Sequence, residues 1–103
     1  KEDFTDVYQE PGYAIGVIDS YKSHPFKVTY YYNFEVNGVD HTGEEVAKGI
    51  GQFDERLLGN SYLVVYKMSN ISENDLNFNY SIENKQEFLD LVDSFENNPP
   101  DID

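Results

Sequence analysis

A chain of 103 residues with 39% apolar and 16% aromatic side chains can fill one core but not two, and it is too apolar for a disordered polar segment. Twenty acidic against seven basic residues give a formal charge of −13, which repels a phosphate backbone and argues against nucleic-acid binding. Cysteine is absent, which excludes disulfides, thiolate catalysis and cysteine-based zinc sites, and no apolar run approaches the roughly 20 residues of a membrane helix, so no membrane insertion is expected within this segment.

The first ten residues, KEDFTDVYQE, hold four acids and one lysine and lead into Pro11-Gly12. Such charge before a strong turn signal reads as a flexible arm over residues 1–11. The chain starts without methionine, as one trimmed behind a removed leader or anchor does, so a periplasmic or envelope setting is the expectation, with the cytoplasm as the other possibility. From Gly12 to Tyr21, Tyr13, Ile15 and Val17 alternate with Ala14, Gly16 and Ile18, which predicts a strand with small residues facing a neighbour. KSHP then makes a turn.

In KVTYYYNFEVNGVDHTG, Val28, Tyr30, Tyr32, Phe34 and Val36 point one way and Lys27, Thr29, Tyr31, Asn33 and Glu35 the other. Asn37-Gly38 suits a two-residue type I′ hairpin turn, whose two central residues need a positive φ. That turn sets the register: Val36 faces Val39, Phe34 faces His41, Tyr32 faces Gly43 and Tyr30 faces Glu45. The bare backbone of Gly43 leaves room for the Tyr32 ring. The aromatic run is therefore read as the inside of a sheet rather than a binding platform.

Residues 49–60, GIGQFDERLLGN, carry glycines at both ends of a short helical turn, with Phe53, Leu57 and Leu58 able to plug one end of a sheet. YLVVYKM, apolar on both faces, predicts a central strand covered on each side. SNISEND reads as a loop, and Leu76, Phe78, Tyr80 and Ile82 then alternate with Asn77, Asn79 and Ser81 in another half-buried strand. At Asn84 the period changes to 3.6. Asn84 and Glu87 have capping-box spacing, and Phe88, Leu91, Val92 and Phe95 form one apolar stripe ending near Asn97, before Pro99-Pro100. NNPPDID reads as a frayed tail. The fold class is α+β: one domain over residues 12–97, about five antiparallel strands with one C-terminal helix, and a partly closed barrel as the near alternative.

No reaction motif stands out. His41 and Glu45 share a strand face but lie about 13 Å apart by strand rise, and Glu44 points away. His24 sits before a proline in a turn, and GNSYL lacks the second glycine of a nucleophile elbow. No phosphate loop or calcium loop is present, so neither a catalytic residue nor a metal or cofactor site is assigned and the chain is not expected to be an enzyme.

Two features point outward. Glu87, Asp90, Asp93 and Glu96 recur every third residue opposite the apolar stripe, with no basic partner at i+4. Asp93 and Glu96 lie toward the negative end of the helix dipole, so local helix stability does not explain them. They read either as a solvated face or as a docking surface for a basic partner. Tyr31 stands on the polar face of its strand across from Glu44, where it contacts carbohydrate or a protein partner or is covered by the helix or a second layer.

YYYNFEVNG, HTG and GNSYLVVYKMSNISENDLNF together resemble small bacterial β-rich envelope domains of unknown function. Their pattern is a Y-x-F-x-V-N-G hairpin, a G-x-x-Y-x-V-x-Y strand and a loop leading to Ser-x-x-x-Leu, matched over roughly residues 26–80. The loop after the second strand often carries Asn-Pro in such domains, and here reads SNIS. The resemblance implies an envelope setting and supplies no catalytic residues. Two functions follow as expectations: a non-catalytic interaction or structural domain, or a small acidic inhibitor or immunity-type protein that binds a basic partner.

Overall fold

The computed structural model describes residues 4–48 and 57–102. In chain order it runs α1 (Phe4–Val7), β1 (Pro11–His24), β2 (Lys27–Val36), β3 (Val39–Lys48), β4 (Ser61–Lys67), β5 (Asn70–Ser81) and α2 (Lys85–Ser94). The five strands form one sheet in the order β3-β2-β1-β4-β5, antiparallel throughout, curled into a half-barrel. Strand β1 is shared: residues 11–17 pair with β4, and residues 16–24 pair with β2. A bulge between Ile18 and Ser20 bends it between these duties. The extra residue, Asp19, accepts a hydrogen bond from the Asn33 side chain on β2.

The β2–β3 hairpin has the register read from the sequence, with Val36 opposite Val39, Phe34 opposite His41, Tyr32 opposite Gly43 and Tyr30 opposite Glu45. Asn37 and Gly38 take φ of 51° and 80°, as a type I′ turn requires. Val28, Tyr30, Tyr32 and Phe34 are buried inside the half-barrel with Ala14, Ile18, Val64 and Leu76. Tyr32 lies between two glycines. A Cβ on Gly43 would collide with its ring, and one on Gly16 would run into Val64 and stand 3.5 Å from its Cδ2. Its hydroxyl donates to Asn74 Oδ1, which ties β2 to the edge strand β5 across the curl.

A second cluster covers the outer face. Leu63 and Val65 of β4 pack there with Val7, Tyr8, Tyr13, Tyr80, Phe88, Leu91 and Phe95, while Val64 faces inward, so β4 is covered on both sides. At the start of α2 the Asn84 Oδ1 accepts the Glu87 N–H at 2.9 Å, and the Glu87 carboxylate accepts the Glu83 N–H at 2.6 Å. The helix ends at its C-cap Phe95 and runs on in tighter turns, with Glu96 and Asn97 N–H groups donating to the Asp93 and Ser94 carbonyls, while the Phe95 ring packs 5.1 Å from Tyr13 and 5.4 Å from Tyr80.

Both chain ends depart from expectation. Residues 4–10 are docked rather than loose: Val7 is fully buried, the Met68 N–H donates to the Glu10 carbonyl at 3.0 Å, and Lys67 pairs with Asp6 at 3.3 Å. One apolar turn next to Pro-Gly is too short to show through four acids in a sequence reading. The tail is pinned as well. Asn77 Nδ2 donates to the Asp101 carbonyl at 2.7 Å, and the Asp101 N–H donates to the Tyr80 hydroxyl at 2.8 Å.

All of SNISEND except Ser69 lies in β5 rather than in a loop, with Asn70, Asn74 and Asp75 paired to Lys67, Tyr66 and Val65 of β4 across a register shift. Its polar side chains bond one another along the edge, as Ser72 does to Asn70 and Asn70 to Glu73. Farther on, the pairing jumps from Leu63 opposite Asn77 to Tyr62 opposite Ser81. That shift turns Tyr80 to the outer cluster, away from the face of Leu76 and Phe78. Most of the short helical turn expected over residues 49–60, Phe53 included, lies outside the described residues; Leu57 packs against the barrel interior and Leu58 is exposed.

Candidate interaction surface

Glu87, Asp90 and Asp93 are exposed on α2, and Glu96 is exposed in the turn just past its C-cap. Two of them have local work: Glu87 belongs to the helix cap, and Asp90 accepts from Gln86 Nε2 at 3.0 Å. Among the described residues the Asp93 and Glu96 carboxylates have no such hydrogen bond.

The two acidic ends of the chain meet. Val7 from α1 and Phe95 at the end of α2 belong to one cluster on the outer face of β4. Beneath them Asn77, fully buried, donates to the Tyr8 hydroxyl at 2.9 Å and to the Asp101 carbonyl at 2.7 Å, and the Tyr8 hydroxyl donates to Asp75 at 2.6 Å. A single polar network thus holds residue 8 and the tail against β5, and α1 and α2 both pack on the outer face of the sheet. The sequence showed acid at each terminus but not their convergence, which depends on a buried asparagine that strand alternation assigns to solvent. A hydrogen bond to Asp6, with the charges of Asp6, Glu73 and Glu10, raises the Lys67 pKa and keeps it charged amid these acids.

Tyr31 lies elsewhere. It is half-buried on the outer face of β2, with Ser20 of β1 and Glu44 of β3 as its strand neighbours. It lines a polar depression of about 270 Å³ with Thr42, Ser72 and Asn74, where the edges of β3 and β5 approach. Among the described residues no hydrogen bond joins it to the helix acids, so the residues singled out in sequence form two surfaces. His41 stacks on Phe34 with ring centroids 5.5 Å apart, and among the described residues no group of three His, Asp or Glu side chains is placed to hold a metal ion.

One concavity among the described residues was missed by sequence reading. A groove of about 600 Å³ runs between the first turn of α2 and the outer face of β1 and β2. Tyr13, Ile15 and Val17 line it from β1, Phe88 and Lys85 from α2, and Glu35 and Asp40 from the hairpin. Burial raises the Tyr13 pKa above its ordinary 10.0, so the hydroxyl remains a neutral donor at physiological pH. The available signal was the alternation of Tyr13, Ile15 and Val17, three large side chains on one face of a strand. The helical stripe is too short to cover all three.

Comparison with protein-family models, with curated protein sequences and with solved structures found no match to this chain.

Proposed function

We propose that this chain is a non-catalytic interaction domain whose partner presents a basic surface. The observation that carries the reading is the docking of both acidic ends on one side of the sheet, through the Tyr8, Asn77 and Asp101 network and the Val7 and Phe95 cluster. An acidic face steers a basic partner through complementary potential. Replacing Asp90 and Asp93 with Asn and Glu96 with Gln is expected to lower capture of a basic partner from the cells of origin about tenfold at low salt. Equal capture by the variant contradicts the reading.

The resemblance to bacterial envelope domains is the support for an exported or tethered setting. Fractionation of cells expressing the complete gene is expected to recover the protein with the periplasm or envelope; recovery in the cytoplasm would remove that part of the proposal. A second reading, a small inhibitor or immunity-type protein masking a basic toxin, draws on Asp93 and Glu96, which the helix itself does not need. Loss of the captured partner's own activity on binding separates the two.

A further inference from the structure

The acidic face supplies attraction, and the groove beside α2 supplies shape. Val17 is 39% exposed although it belongs to the middle strand of the sheet, and with Ile15 it forms an apolar floor that the helix leaves open. Glu35 and Asp40 stand along one border. They are directly opposite each other on β2 and β3, both exposed, and among the described residues neither forms an ion pair. Like charges at directly opposed positions of an antiparallel pair repel, so the hairpin carries a cost that its own fold does not relieve. The other border carries the opposite sign, with Lys85 in the first turn of α2.

We propose that this groove takes a short segment of the basic partner, with an aliphatic or aromatic side chain on the Ile15 and Val17 floor and one Arg or Lys bridging Glu35 and Asp40. The inference rests on the reading of a basic partner and adds the chemistry and direction of the bound segment. A cation at the hairpin border relieves the repulsion between two carboxylates at once. An arginine suits it best, because the stem lies along apolar surface while the planar head meets both acids. Lys85 sets the direction: it repels a second cation at the helix border and favours a carboxylate there. A volume of about 600 Å³ matches a few side chains rather than a whole domain.

Selection from a random peptide library on the intact chain, followed by NMR titration of an enriched peptide, tests this. The expected result is enrichment of Arg or Lys on one side of an apolar anchor, with shifts at Ile15, Val17, Glu35, Asp40 and Phe88. The double variant Glu35→Gln, Asp40→Asn is expected to weaken that peptide about tenfold. Its thermal midpoint is expected to match or exceed that of the parent, since a repulsion is removed, which guards against misfolding as the cause. If peptides shift only Asp90, Asp93 and Glu96 and ignore the double variant, the groove inference falls while the basic-partner reading stands. If neither enriched peptides nor an oligolysine probe shifts any residue, both fall.

Discussion

Tyr32→Ala is expected to lower the stability of the fold by roughly 3–5 kcal/mol, the usual cost of emptying a buried aromatic site. The ring is 1% exposed and sits where the bare backbone of Gly43 admits it, since a Cβ there would collide with the ring. The change also removes the hydroxyl that links β2 to Asn74 on β5 and helps hold the sheet curled. Tyr32→Phe separates the two contributions and is expected to cost only about 1 kcal/mol, the worth of one hydrogen bond. Urea unfolding of both variants provides the check. A Tyr32→Ala midpoint close to the parent would mean that the barrel interior is not packed around this ring.

Val7→Asp is expected to destabilise by at least about 3 kcal/mol, because it sets a carboxylate in an apolar site with no cation to meet it. Val7 is fully buried against the outer face of β4, in the company of Leu63, Val65 and Phe95. Val7→Ala, which removes two methyl groups, is expected to cost about 1–2 kcal/mol. A loose N-terminal arm would tolerate both changes, so the pair of unfolding midpoints decides whether residues 4–10 belong to the domain. The same experiment bears on function, since the acids of the first segment form part of a fixed surface only if that segment stays docked.

These two positions also show what the sequence made legible. The interior around Tyr32 followed from period-2 alternation and one turn: Asn37-Gly38 fixes the register, and a slip by one residue would send every aromatic of β2 to the wrong face. The helix followed from its cap and stripe for a similar reason, since Asn84, Glu87 and Phe88 act within one turn of each other. Val7, Asn77 and Asp101 were not legible. Their placement depends on contacts distant in sequence, 69 positions from Tyr8 to Asn77 and 24 from Asn77 to Asp101, of which local pattern carries no trace. Asn77 in particular reads as solvent-facing by alternation and polarity, and is buried only because the two termini arrive to cover and satisfy it.

The groove was obscured differently. Tyr13, Ile15 and Val17 were visible as one face of a strand, but their cover depends on where α2 crosses the sheet. The helix reaches Tyr13 through Phe95 and leaves Val17 exposed. The acids Glu35 and Asp40 gave no signal singly; their significance arises from being directly opposed beside that floor.

Convergence of the two acidic ends on one side of the sheet is the claim on which the surface depends, and the Asn77 side chain reports it. In a nuclear Overhauser spectrum of the intact chain, its amide protons should show cross-peaks to the Tyr8 ring and to the backbone at Asp101, and should exchange slowly with water. An Asn77 amide that exchanges freely, with Tyr8 and Asp101 at random-coil shifts, would contradict the account.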